Sequence, residues 1–257
     1  MVSLDELIKV KRTQLEMLHD RGYDVTDEEP MMADTITITD FMKFYNLSLI
    51  RKNKYGDLLS QVYVKSKENP DIDRYYVYYA IDVNKAQLPK SSVETFADRI
   101  NENNCSGGII ISEMLGSGTA NAILQGLASS KRHRIQHYLI DELLYNPSKH
   151  IFVPRHYVLT QEEKDKFYKA NRYVSPRTET TTDDMPEMRL RNLHLTNCWK
   201  YASDSTKMGK CGDPIAKYYA MKVGDVVEIQ RELLVFKSEG PEPMVMSNIF
   251  FRRVVGY

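Results

Sequence analysis

Between Ser91 and Ile140 the chain alternates twice between a helical stripe and a short apolar run. No other feature limits the fold as strongly. Val93, Phe96, Ala97 and Ile100 recur at i, i+3, i+4 and i+7, behind Ser91 and Glu94 in capping-box spacing. The run from Gly108 to Ser112 (GIIIS) then reads as a buried strand. A glycine-rich loop, Leu115 to Thr119, leads into a second stripe of Ala120, Ile123, Leu124 and Leu127, and RIQHYLI (Arg134 to Ile140) reads as another strand. Strands linked through helices pair in parallel by crossover connections, so the expected class is an α/β layer.

Upstream of this core, Ser3 and Glu6 predict a capping box. It opens a helix with Leu4, Leu7, Ile8, Leu15 and Leu18 on one face, ended by Gly22. Residues 26–40 are polar and acidic and read as a loop. LLSQVYV and RYYVYYAI, from Leu58 to Ile81, read as strands around an Asn-Pro-Asp turn. Tyr75, Tyr76, Tyr78 and Tyr79 on adjacent positions fit a sheet covered on both faces. A base-stacking platform is the functional alternative, and cross-strand packing is the default.

The pattern changes near Asn146-Pro147-Ser148. Thr160 and Glu163 open one short helix. Val174 to Gly212 is long, polar and without periodicity, which suggests an insertion or a binding segment. GDPIAKYYAMKVGDVVEIQR (Gly212 to Arg231) follows. Asp213 is a good N-cap, Pro214 suits the first helical position, and Ile215, Ala216, Tyr219 and Ala220 form an apolar stripe. Gly224-Asp225 then turns the chain into a β-branched strand with Arg231 at its end, and Ser247 to Val255 is one more strand.

Composition sets outer limits. Of 257 residues, 42% are hydrophobic and 27% charged, as in ordinary globular proteins. No apolar run approaches the length of a membrane span, and the start does not resemble a secretory signal. Cys105, Cys198 and Cys211 are few, scattered and odd in number, which argues for a reducing compartment. Net charge is zero, at −4 over residues 1–145 and +4 over residues 146–257. That excludes a strongly basic nucleic-acid sponge and leaves room for a local contact.

The candidates for chemistry are sparse. The loop around Gly116-Ser117-Gly118-Thr119 stands where a helix N-terminus can offer amides to an anion, although it lacks a Walker lysine and a third dinucleotide-type glycine. Lys131-Arg132-His133-Arg134 could meet backbone phosphates or simply be a solvated loop. His194, Cys198 and Cys211 match no zinc spacing and lack a fourth ligand. Asp57, Asp82 and Lys85 invite a metal-dependent nuclease reading, but Asp82 and Lys85 along a strand point to opposite faces. Cys105 with His133 or His137 has no group to orient it, and a buried cysteine is the simpler reading.

Three stretches together are similar to one family: Leu18-His19-Asp20-Arg21-Gly22-Tyr23-Asp24-Val25-Thr26, then ELLYNPSKHIFVPRH (Glu142 to His156), then Gly212 to Arg231. They resemble the subunit shared by multisubunit RNA polymerases, the fifth subunit of the eukaryotic enzymes and its shorter archaeal counterpart. The resemblance implies a nuclease-like α/β jaw domain (1–145) near downstream duplex DNA. It also implies a small α+β assembly domain (146–257) that docks on the largest polymerase subunit beside neighbouring small subunits. It implies no catalytic residue, metal, cofactor or membrane.

Carried onto this chain, the resemblance places Gly116, Ser117, Gly118, Thr119 and Asn121, with Lys131 and Arg132, at DNA. Val153, Pro154, His156, Asp213, Pro214, Ile215, Tyr219 and Arg231 fall at the subunit interface. The chain departs from the family pattern by an insertion at about 189–210 and by a longer hairpin after Arg231. These departures suggest a fast-evolving member from a large DNA virus, hence a nuclear location if cellular, or virion or host cytoplasm if viral. The alternatives are a nuclease-fold DNA-cleaving enzyme and a free-standing polymerase-binding adaptor.

Overall fold

The two helix–strand repeats close onto one four-stranded sheet in a computed structural model of the chain. The structure describes residues 2–47, 55–65, 73–81, 87–129, 134–171, 185–189, 213–235 and 244–255. Contacts divide the chain into two compact units, Met1–Asn146 and Pro147–Tyr257.

The first unit holds β1 (Gln61–Val64), β2 (Arg74–Ala80), β3 (Gly107–Ser112) and β4 (Arg134–Leu139) in that spatial order. β1 pairs antiparallel with β2, while β2–β3 and β3–β4 are parallel. The crossovers are α4 (Lys90–Glu102) and α5 (Gly118–Ser129), as the periodicity predicts. Val93, Phe96 and Ile100 of α4 and Ala120 and Leu124 of α5 are buried in one cluster with Tyr76, Ile110 and Ile135. All six residues of β3 are buried, as expected for a central parallel strand covered on both faces. Gly108 is where α4 comes closest. A Cβ there would lie 2.6 Å from the Tyr76 carbonyl oxygen and 3.0 Å from the Phe96 ring.

α1 (Leu4–Asp20) covers the other face. Its capping box forms as the sequence predicts: the Glu6 amide donates to Ser3 Oγ (3.2 Å) and the Ser3 amide to Glu6 Oε2 (2.8 Å). Gly22, at φ +83°, ends it. The β2 tyrosines are structural and divide by parity. Tyr76 and Tyr78 stack with Phe96, while Tyr79 donates from its hydroxyl to Gln14 Oε1 of α1 (3.1 Å).

Within this layer Lys11 is fully buried. Its Nζ lies 3.1 Å from Glu28 Oε1, donates to the Tyr63 hydroxyl (2.8 Å) and the Leu59 carbonyl (3.3 Å), and sits over the rings of Tyr45, Tyr63 and Tyr79. Burial holds the Lys11 ammonium below its usual range, against the opposing pull of Glu28.

Three local expectations are corrected. The segment read as a loop over 26–40 holds a 3-10 helix, Thr26–Met32, and α2 (Ile38–Phe44) begins behind an N-cap at Thr37. Leu58 and Leu59 belong to a short helix, α3 (Tyr55–Leu59), so the strand starts only at Gln61. α4 starts two residues earlier than its capping-box spacing suggests, with Pro89 rather than Ser91 at the N-cap and no side-chain cap bond.

The second unit is a sheet in the order β5 (Arg155–Val158), β7 (Val226–Val235), β8 (Met244–Val255), β6 (Glu187–Arg189). α6 (Gln161–Asn171) opens where Thr160 and Glu163 predict it, the Thr160 amide donating to Glu163 Oε2 at 2.7 Å. α7 (Pro214–Tyr218) is capped by Asp213, which accepts from the amides of Ile215 (2.8 Å) and Ala216 (3.2 Å). Ile215, Ala216 and Met221 pack with Met188, Val227, Ile229 and Val254. Tyr218, 1% exposed, is more deeply buried than the predicted stripe member Tyr219. Arg231 falls in the middle of β7 rather than at its end, and is exposed. No described helix is long and apolar enough to cross a membrane.

Candidate nucleic-acid interface

The loop between β3 and α5 is held by hydrogen bonds from three directions. The Ser112 hydroxyl donates to the Met114 carbonyl (2.7 Å), the Leu88 amide to the Leu115 carbonyl (3.1 Å), and Asn121 Nδ2 to the Gly116 carbonyl (2.9 Å). The Ser117 amide in turn donates to the Leu88 carbonyl (3.1 Å), completing a parallel bridge between Leu88 and Gly116. Ser117 caps the helix by accepting from the Ala120 amide (3.3 Å). A Cβ at Gly116 would sit 2.4 Å from Asn121 Oδ1, so a side chain there would have to displace that amide. Gly118 and Thr119 are exposed at the first two helical positions, whose amides have no carbonyl within the helix to bond. Such amides, with the dipole of a twelve-residue helix behind them, favour an anion in front.

The five predicted loop residues are therefore together, in different roles. Gly116 and Asn121 shape the loop, Ser117 caps the helix, and Gly118 and Thr119 face outward. Thr119 is the second residue of α5 rather than a loop residue. Lys131 and Arg132, and His133 beside them, lie outside the described residues. Arg134, the last of that basic cluster, is engaged by Asp73, with Nη2 at 2.7 and 2.9 Å from its two oxygens.

Sequence reasoning misses Leu88 and Ser112. Leu88 is 28 residues from Gly116 and carries no motif. Ser112 is visible only as a polar residue closing an apolar run. His137 is not a partner of Cys105. Its Nε2 lies 2.7 Å from Ser112 Oγ, and both side chains are buried. That spacing would suit a nucleophile and its base, but the single hydroxyl proton goes to Met114, so the imidazole must donate. Burial raises the Cys105 thiol, only partly opposed by Arg74.

The described residues contain no cluster of three metal-ligating side chains. Asp57 is exposed on α3. Asp82, Lys85, His194, Cys198 and Cys211 lie outside the described residues, as does the insertion from residue 190 onward.

The expected interface residues divide by exposure. Ile215 is buried in the core of its own unit, which assigns it to the fold rather than to a surface. Val153 is half-buried against the same cluster, while Pro214 and Arg231 are exposed. His156 bonds through Nδ1 to the Pro154 carbonyl (2.7 Å); burial lowers its imidazole below the usual range, against Pro154 and Asp213. Beside them Ile151 and Phe152 are 89% and 84% exposed, a pair of large apolar side chains with almost no cover from the described residues.

No family model matches the chain. Curated relatives nevertheless align along nearly all of it. It is 24% identical over 225 residues, 88% of each chain, to "DNA-directed RNA polymerases I, II, and III subunit RPABC1" of Caenorhabditis elegans. It is 24% identical over 231 residues to the same subunit of Dictyostelium discoideum, covering 90% of this chain and 92% of that one. Along nearly its whole length the chain is therefore similar to this shared polymerase subunit. A third relative, "DNA-directed RNA polymerase subunit 5-like protein 1" of Arabidopsis thaliana, is 25% identical over 229 residues. The alignments cover 225 and 231 of the 257 residues and so reach into both units.

Proposed function

We propose that the chain is a non-catalytic subunit of a DNA-directed RNA polymerase and acts in transcription. The carrying observation is the alignment of nearly its whole length with the fifth subunit of the eukaryotic enzymes. In this reading the first unit brings the N-terminus of α5 toward downstream duplex DNA, where the exposed amides of Gly118 and Thr119 meet a backbone phosphate. Such contacts position a duplex without reading its sequence. Lys131 and Arg132 add charge beside them. The second unit anchors the chain on the largest subunit and its small neighbours. Ile151 and Phe152 support this, because apolar side chains so exposed gain most from burial in a partner. With Val153, Pro154, His156, Asp213, Pro214, Tyr219 and Arg231 they make up the proposed assembly surface. A neutral chain suits the role, since one subunit need supply few phosphate contacts. A nuclear location follows for a cellular enzyme.

Gentle purification through a tag on this chain tests the proposal. Stoichiometric recovery of a largest polymerase subunit is expected. Failure to recover one refutes it, and sub-stoichiometric recovery would favour a free-standing adaptor.

A further inference from the structure

The loop leading into α5 is unusual in what holds it. Met114 and Leu115 are 38% and 37% exposed, so neither is a core residue that anchors the loop by full burial. Three consecutive carbonyls, of Met114, Leu115 and Gly116, each accept a hydrogen bond. Of the three, the bond to Met114 comes first after the strand, and it alone starts from the sheet itself, through Ser112 at the end of β3. Ser112 is in turn held by His137. In the parallel register His137 pairs with Ile110, which puts it diagonally beside Ser112 on the same face of the sheet. With the hydroxyl proton committed to Met114, Nε2–H of His137 donates into Ser112 Oγ. A relay of two buried groups, 1% and 3% exposed, thus runs from the sheet to the loop backbone.

We propose that Ser112 and His137 are positioning residues for the nucleic-acid contact. They fix the backbone between β3 and α5 so that the Gly118 and Thr119 amides are presented in one orientation before any ligand arrives. The inference rests on the reading of α5 as the DNA-facing element. Neither residue would touch DNA. Their part is to spare the loop the cost of becoming ordered on binding.

Two measurements on the full chain and its polymerase complex test this. The first is amide hydrogen exchange at Ser117 and Asn121, whose amides donate to the Leu88 and Ser117 carbonyls. The second is crosslinking to downstream duplex from a photoprobe tethered at Ala122, an exposed position on α5. Ser112→Ala and His137→Leu are expected to speed exchange about tenfold, the factor one lost hydrogen bond is worth, and to lower crosslinking severalfold. Ser112→Thr keeps the hydroxyl, and His137→Gln keeps an N–H donor. Both should restore exchange and crosslinking, a rescue that a purely space-filling role would not give.

Unchanged exchange in Ser112→Ala overturns the proposal, and this smaller substitution carries the test if His137→Leu lowers global stability. Faster exchange with undiminished crosslinking also overturns the positioning role, because the DNA contact then persists although the loop has loosened. Loss of crosslinking in the unsubstituted chain would refute the DNA reading alone.

Discussion

Replacing Lys11 by methionine probes how the helical layer is tied to the first sheet. Lys11 Nζ directs its three protons to Glu28, the Tyr63 hydroxyl and the Leu59 carbonyl. Glu28 is 4% exposed and also accepts from the Tyr45 hydroxyl (2.5 Å) and from Tyr63. Lys11→Met keeps most of the apolar stem but strands a buried carboxylate. Breaking one partner of a buried pair costs about 3–5 kcal/mol. For a unit of this size each kcal/mol moves the melting temperature by roughly 3 °C, so a fall of about 10–15 °C is expected. Thermal unfolding followed by circular dichroism measures it. Glu28→Gln alone should also destabilise, whereas Lys11→Met with Glu28→Met should recover most of the loss, because apolar residues can replace a buried pair at little cost. A single Lys11→Met variant melting within about 2 °C of the parent would refute the reasoning, as would a double variant no better than the single ones.

Four further outcomes are expected. Gly116→Ala should cost about 1–3 kcal/mol in urea unfolding, because the new methyl displaces Asn121 and leaves the Gly116 carbonyl unbonded. Burial raises the Asp73 carboxyl, but bonds from Ser106 and Arg134 outweigh it and leave the group below its usual 3.8. Its contribution is therefore complete above pH 3.8 and lost as pH falls through the lower folded value, so a stability titration of Asp73→Asn should show the gap to the parent closing in that acid window. Ile151→Asp with Phe152→Asp should leave the melting temperature within about 2 °C but abolish co-purification with the polymerase, since both side chains are exposed. Val227→Asp, by contrast, puts an unpaired charge where nothing is exposed; it should unfold the second unit, seen as loss of its cooperative melting transition.

Local chemistry is legible in the sequence at most features completed within a few residues, the Ser91–Glu94 spacing being an exception. The Ser3–Glu6 box, the Thr160–Glu163 start of α6 and the Asp213-Pro214 cap each lie within one helical turn of their partners. The two crossovers are legible because their stripes repeat at helical spacing. What escapes depends on groups brought together from afar. The burial of Lys11 is intelligible only with Tyr63, 52 residues later. The Leu88–Gly116 bridge exists only once two loops lie side by side. The 26–44 segment misleads because Pro30 and its acidic residues suggest a loop, while buried Met31 and Phe41 hold its helical turns in place. At the candidate site the helix start and its glycines are visible, and the clamp from β3 is not.

The docking of α1 onto strands far downstream has a consequence for synthesis. Gln14 meets Tyr79 across 65 residues, so the helix emerges long before the surface that will cover it exists. At about 5–20 residues per second, the helix waits roughly 3–13 seconds with its inner face bare. A face built only of leucine and valine would invite aggregation during that interval. Lys11 and Gln14, both buried at the end, give the nascent helix a wettable inner side until the tyrosines of the sheet arrive.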